Sequence, residues 1–79
     1  MSRHHVQVHN WYNGELSTFE AVVDSIEEAM AKLSENVAFL AHNSDSHTVK
    51  IYDLNGELVH SVSGMGTGSD PIASLASYA

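Results

Sequence analysis

Polar and apolar residues alternate from His5 to His9, as His-Val-Gln-Val-His, which sets both valines on one side of an extended chain. Asn13-Gly14 follows, and Asn-Gly accepts the positive φ angles of the tight primed turns that close β-hairpins. A two-residue turn there pairs Val8 with Phe19 and Val6 with Ala21. Val6, Val8, Phe19, Ala21 and Val23 then share one face. His5, Gln7, His9, Trp11, Leu16, Thr18, Glu20 and Val22 share the other. Turn chemistry and pattern agree on a first hairpin.

The period changes after Asp24-Ser25. Ser25 with Glu28 three residues on is a capping box, and Glu27 and Glu28 suit the positive end of a helix dipole. Ile26, Met30, Leu33, Val37 and Leu40 recur at steps of four and three, supported by Ala29 and Ala41. That stripe predicts one helix running to about His42. His42-Asn43-Ser44-Asp45-Ser46-His47 has the composition of a loop. A third strand is expected from Thr48 to Asp53 and a fourth from Leu58 to Ser63, around a second copy of the tetrapeptide Asn-Gly-Glu-Leu.

Two registers fit this second hairpin. A two-residue turn pairs Val49 with Val62 and Ile51 with His60, setting a histidine in the core. A type I turn over Asp53-Leu54-Asn55-Gly56, with the glycine as a bulge, pairs Ile51 with Val59 instead. It sends Lys50, Tyr52, Leu58, His60 and Val62 to the other face. The bulge is preferred here, because it keeps Ile51 and Val59 inside and spares His60 from burial.

From Gly64 the chain reads as a flexible linker. Ile72, Leu75 and Tyr78 then fall on a rough helical spacing, with Ser69 as a cap and Pro71 in the first turn. So short a helix is marginal in water unless it docks. The division expected is a small domain over 1–63 and a flexible Gly/Ser-rich tail over 64–79, with a short helix from Ser69 at most.

The elements predict an α+β fold: a two-layer ββαββ arrangement, with a four-stranded, mainly antiparallel sheet of two hairpins packed on one helix. Short connections allow the first strand beside the last, or the hairpins joined through the second and third. The helix covers one sheet face. The other would expose Trp11, Tyr52, Leu16, Leu58 and Val22, enough apolar area to need an explanation. A second copy of the chain, the C-terminal segment or a different protein would each serve.

Composition narrows the choices. Three basic residues, Arg3, Lys32 and Lys50, stand against ten acidic ones, for a formal net charge of −7 over 79 residues. Such a chain cannot build the basic stripe that nucleic acid requires, and anionic membranes are disfavoured for the same reason. No segment approaches the roughly 20 apolar residues of a membrane span, and no apolar run follows Met1-Ser2-Arg3-His4-His5 as a secretory signal requires. Cytoplasmic residence is the default expectation. An acidic inhibitor that mimics nucleic acid is a third reading, although Glu27-Glu28 is the only adjacent carboxylate pair. Domains this small usually lean on disulfides, a metal or a second subunit, and the absence of cysteine removes the first. Protonating all six histidines would move the net charge from −7 to −1. Solubility or oligomeric state is therefore expected to change between neutral pH and about pH 5.5.

Catalysis is not expected. There is no Gly-x-Ser-x-Gly elbow, no paired carboxylates on a cleft, and the glycines from Gly64 to Gly68 do not enter the helix of a βαβ unit. His5 and His9 lie about 13 Å apart along a strand, too far to share one ion. The loop residues His42, Asp45 and His47 form the candidate metal site, and zinc accepts such nitrogen and carboxylate ligands. No other cofactor is indicated. The favoured function is a non-catalytic interaction module that forms a homodimer, or binds another protein, through His5, His9, Trp11, Tyr52, Leu58 and His60. Trp11 and Tyr52 supply the rigid aromatic area that interfaces favour. A small metal-binding protein is the alternative.

Overall fold

In the computed structural model, which describes residues 3–36, 45–65 and 70–78, the first alternating segments form β1 (His4–Tyr12) and β2 (Glu15–Val23). Asn13 and Gly14 take φ angles of 53° and 81°, the paired positive angles of a type I′ turn. Val8 pairs with Phe19 and Val6 with Ala21, as the pattern requires.

The helix α1 (Ile26–Ser34) begins at the capping signal. Ser25 Oγ accepts the Glu28 N–H at 3.2 Å, while the Glu28 carboxylate accepts the N–H of Asp24 at 3.0 Å, one residue before the cap. Ile26, Ala29 and Leu33 are buried. The helix expected to reach His42 stops at Ser34. The Ser34 hydroxyl donates to the Ala31 carbonyl and the Asn36 N–H folds back to the Leu33 carbonyl, which closes the last turn short. Val37, Leu40 and Ala41 lie outside the described residues.

β3 (Ser46–Tyr52) and β4 (Leu58–Met65) form the second hairpin. Its turn is the type I form: Gly56, at φ +84°, donates its N–H to the Asp53 carbonyl at 3.1 Å. Tyr52 therefore pairs with Leu58. One residue further the ladder shifts, and Ile51 pairs with His60 and Val49 with Val62. The bulge preference is thus right at the turn and wrong beyond it. Val59, expected inside, is 41% exposed, while His60 and Val62, expected on the other face, are half-buried on the covered one.

The strand order is β2-β1-β3-β4, with every neighbouring pair antiparallel. Neither order expected from short connections occurs, since β1 joins β3. Val6 and Val8 of β1 and Val49 and Ile51 of β3 are all fully buried in the middle of the sheet, with Phe19 and Ala21 of the edge strand β2 partly buried beside them. β2 and β3 then run in the same direction with β1 between them, and strands so disposed need a crossover of helix length.

A second helix, α2 (Pro71–Ala76), completes the covered side. Asp70, not Ser69, caps it: Asp70 Oδ1 accepts the Ile72 N–H at 2.9 Å. Pro71 and Leu75 are buried, and Ile72 and Tyr78 pack on the same core. α1 lies toward β2 and α2 toward β3 and β4, with the helices side by side. Residues 70–78 therefore belong to the folded body and not to a tail, because docking supplies what six residues in water lack. Residues 66–69 of the expected linker lie outside the described residues.

Histidines seat this helix. His47 Nε2 and Ser74 Oγ are 2.7 Å apart, His60 Nε2 and Ser77 Oγ 3.3 Å, and His4 Nε2 and the Tyr78 hydroxyl 3.4 Å. The Tyr78 ring stands 5.1 Å from that of His60 and 5.6 Å, edge on, from that of His4. His47 is 3% exposed, and its ring lies over Gly64 on the neighbouring strand. A Cβ at position 64 would come within 2.9 Å of His47 Nε2. Burial pushes the His47 pKa below the ordinary histidine value, against the opposing pull of Asp70.

Gly64→Ala is expected to displace this ring and lower stability by about 1–3 kcal/mol, read by urea denaturation. The unfolded chain protonates His47 near 6.5 and the folded chain only at lower pH. The stability His47 contributes is thus fully present above that value and lost as pH falls below it. The melting temperature should decline as pH falls below about 6.5, and less steeply in His47→Gln.

Candidate functional site

The odd-numbered residues of β1 and their cross-strand partners form the opposite face of the sheet, which no element covers among the described residues. Paired residues share a face, so the register sets four rows across the strands. Val22, His5, Tyr52 and Leu58 form the first, and Leu16, Trp11, Ser46 and Met65 the last. Between them lie Glu20, Gln7, Lys50 and Ser61, then Thr18, His9, Thr48 and Ser63. Apolar rows thus stand at both ends of a polar middle. Trp11, Leu16, Val22 and Leu58 are each about half exposed, and Met65 is 87% exposed.

The polar middle is organised around one carboxylate. Gln7 Nε2 donates to Glu20 Oε2 at 2.7 Å, and His5 Nε2 lies 3.5 Å from the same oxygen. Both partners stand on β1, so the carboxylate of the edge strand β2 is drawn inward over its neighbour. Lys50 is exposed and forms no ion pair among the described residues. Glu20 and Lys50 are the acid and the permanent base of these four rows. With neutral histidines the face therefore carries no net charge, on a chain that carries −7.

At one end the second hairpin turn rises beside the first row. His5, Gln7, Val22, Tyr52, Asp53, Leu54 and Gly56 line a shallow groove of about 420 Å³. The His5 and Tyr52 rings lean together within it, 6.0 Å between centroids. Asp53 shapes the rim, since its Oδ1 accepts the N–H groups of Asn55 at 2.8 Å and Glu57 at 3.0 Å.

Of the residues proposed from the sequence, His5, His9, Trp11, Tyr52 and Leu58 lie on this face. His60 does not: the extra residue at Val59 turns it to the covered side, against Tyr78. Met65 was missed, because the fourth strand was expected to end at Ser63 and Gly64 interrupts the alternation. Its pairing with Ser46 carries the strand further. The proposed metal ligands are not grouped where they are described. Asp45 Oδ2 accepts the Asn13 N–H at 2.8 Å and braces the first turn. His47 belongs to β3 and not to a loop, and its ring points inward beneath Ser74. His42 lies outside the described residues. Among the described residues, no three histidine, aspartate or glutamate side chains gather as a metal site. No described helix is long and apolar enough to cross a membrane.

No family model, no curated protein and no solved structure matches this chain.

Asp53→Ala is expected to cost about 1–2 kcal/mol, since two backbone donors lose their acceptor. Urea denaturation reads the cost, and a shift of the Tyr52 ring signals in NMR spectra reads the opening of the groove.

Proposed function

We propose that this protein is a small, acidic, non-catalytic interaction module that self-associates through the open sheet face, as a homodimer. One observation carries the reading. Two apolar rows, built around Tyr52 and Trp11, stand exposed at the ends of a four-stranded face that no element covers among the described residues.

Three arguments support it. Covering those rows removes apolar area from water at about 25 cal/mol per Å², a large gain for a domain whose single core is small. Of the covers the sequence allows, the C-terminal helix is already engaged on the opposite side. A second copy then has an advantage over an unrelated protein, because a two-fold contact needs only a surface that matches itself, and this one is apolar at both ends. Charge acts in the same direction. Two molecules of −7 repel, and a patch of zero net charge is where they approach at least cost.

Light scattering on a sizing column, at neutral pH with chelator present, is expected to give twice the chain mass of 8.6 kDa. Trp11→Ala should weaken association by roughly tenfold or more. It should leave the far-ultraviolet spectrum unchanged, since Trp11 is 47% exposed and outside the core. A wild-type chain that stays monomeric at millimolar concentration would overturn self-association.

A further inference from the structure

Resting on the self-association proposed above, we infer how the two copies meet: sheet on sheet, about a two-fold axis along the strands between β1 and β3, with Glu20 of each copy paired to Lys50 of the other. The apolar rows alone leave two arrangements open. An axis along the strands lays each row on its own copy, whereas an axis across them lays the first row on the last. Both bury apolar rows against apolar rows.

The two charges separate these arrangements. Within one chain Glu20 on β2 and Lys50 on β3 are separated by β1, so their strands stand about 9.6 Å apart. They form no ion pair with each other. An axis along the strands exchanges β1 with β3 and β2 with β4. The partner's Lys50 then arrives over β1, opposite Gln7, only one strand spacing (about 4.8 Å) from Glu20. Gln7 and His5 already hold the Glu20 carboxylate toward that position. Packed sheets stand about 10 Å apart, a gap that one lysine and one glutamate side chain bridge between them. The axis across the strands instead sets Glu20 opposite the partner's Thr18 and leaves the partner's Lys50 over β3, out of reach.

The two symmetric ion pairs lie in the polar middle with an apolar row beyond each end. Bulk salt screens them less there than on an open surface. They also fix register. Sliding one sheet by a row would face Lys50 with His9 or His5 in place of Gln7, and would part it from Glu20.

The test uses Glu20→Lys and Lys50→Glu. Either change alone sets like charges against each other twice per dimer, and is expected to raise the dissociation constant by roughly tenfold to a hundredfold. Mixing equal amounts of the two variants joins opposite charges at both contacts. A dimer mass is expected to return in the mixture at a concentration where each variant alone is monomeric. Both side chains are exposed, so circular dichroism should show each variant folded. Lys32→Glu, which makes the same change in net charge as Lys50→Glu but on α1, should leave the dimer intact. Variants that remain dimeric, a mixture that remains monomeric, or equal dissociation by Lys32→Glu would each overturn this arrangement while leaving self-association standing. A monomeric wild type would overturn both.

Discussion

The whole molecule depends on the antiparallel ladder between β1 and β3, running from His5–Tyr52 to Trp11–Ser46. On its inner side it sets Val6 against Ile51 and Val8 against Val49, four side chains with no exposed surface. Both helices pack over that centre, α1 from the side of β2 and α2 from the side of β4. On its outer side the same ladder aligns Tyr52 with His5 and Lys50 with Gln7, which makes a patterned face out of two hairpins. A slip of one residue would reverse both sides together, so core and face share a single register.

How much of this was legible in the sequence depends on the range of the physics. Local chemistry was readable: Val6 and Val8 alternate with polar neighbours, Ser25 and Glu28 mark a helix start, and Asn13-Gly14 closes a hairpin of known register. Repetition was a weaker guide. The tetrapeptide Asn-Gly-Glu-Leu makes two different turns. In the first, Asn13 and Gly14 both take positive φ; in the second, only Gly56 does. The difference comes from the residue two places ahead of the asparagine. Asp53 offers a carboxylate that gathers two backbone N–H groups, and Trp11 at the corresponding place offers none. Strand order was not legible, because it rests on long-range pairing between β1 and β3, which no local turn or spacing in the sequence specifies. The place of His60 was hidden for a related reason. The ring is covered by Tyr78, far along the chain, and the extra residue at Val59 reverses the parity from which faces are read. His5, His9, Trp11 and Tyr52 kept their predicted face because no bulge intervenes along β1 or across to β3.

The histidines, conspicuous in the composition, do not act as one set. His4, His47 and His60 lie beneath α2 and Tyr78, where they supply polar contacts to a short helix with no charged residue of its own between Pro71 and Ala76. His5 and His9 stand on the opposite face, and His5 leans toward Glu20. Parity along the strand, not proximity in sequence, sorts them: His4 and His5 are adjacent and belong to different surfaces.

The stacking of His47 on Gly64 also bears on how this chain can change over generations. The imidazole fills the space that any side chain at position 64 would occupy, and it reaches α2 only because that space is vacant. Substitutions at the two positions, on neighbouring strands, are therefore expected to be coupled and not additive. Position 47 must shrink before position 64 can grow. A lineage that takes the steps in the opposite order passes through a protein whose last helix has lost its seat.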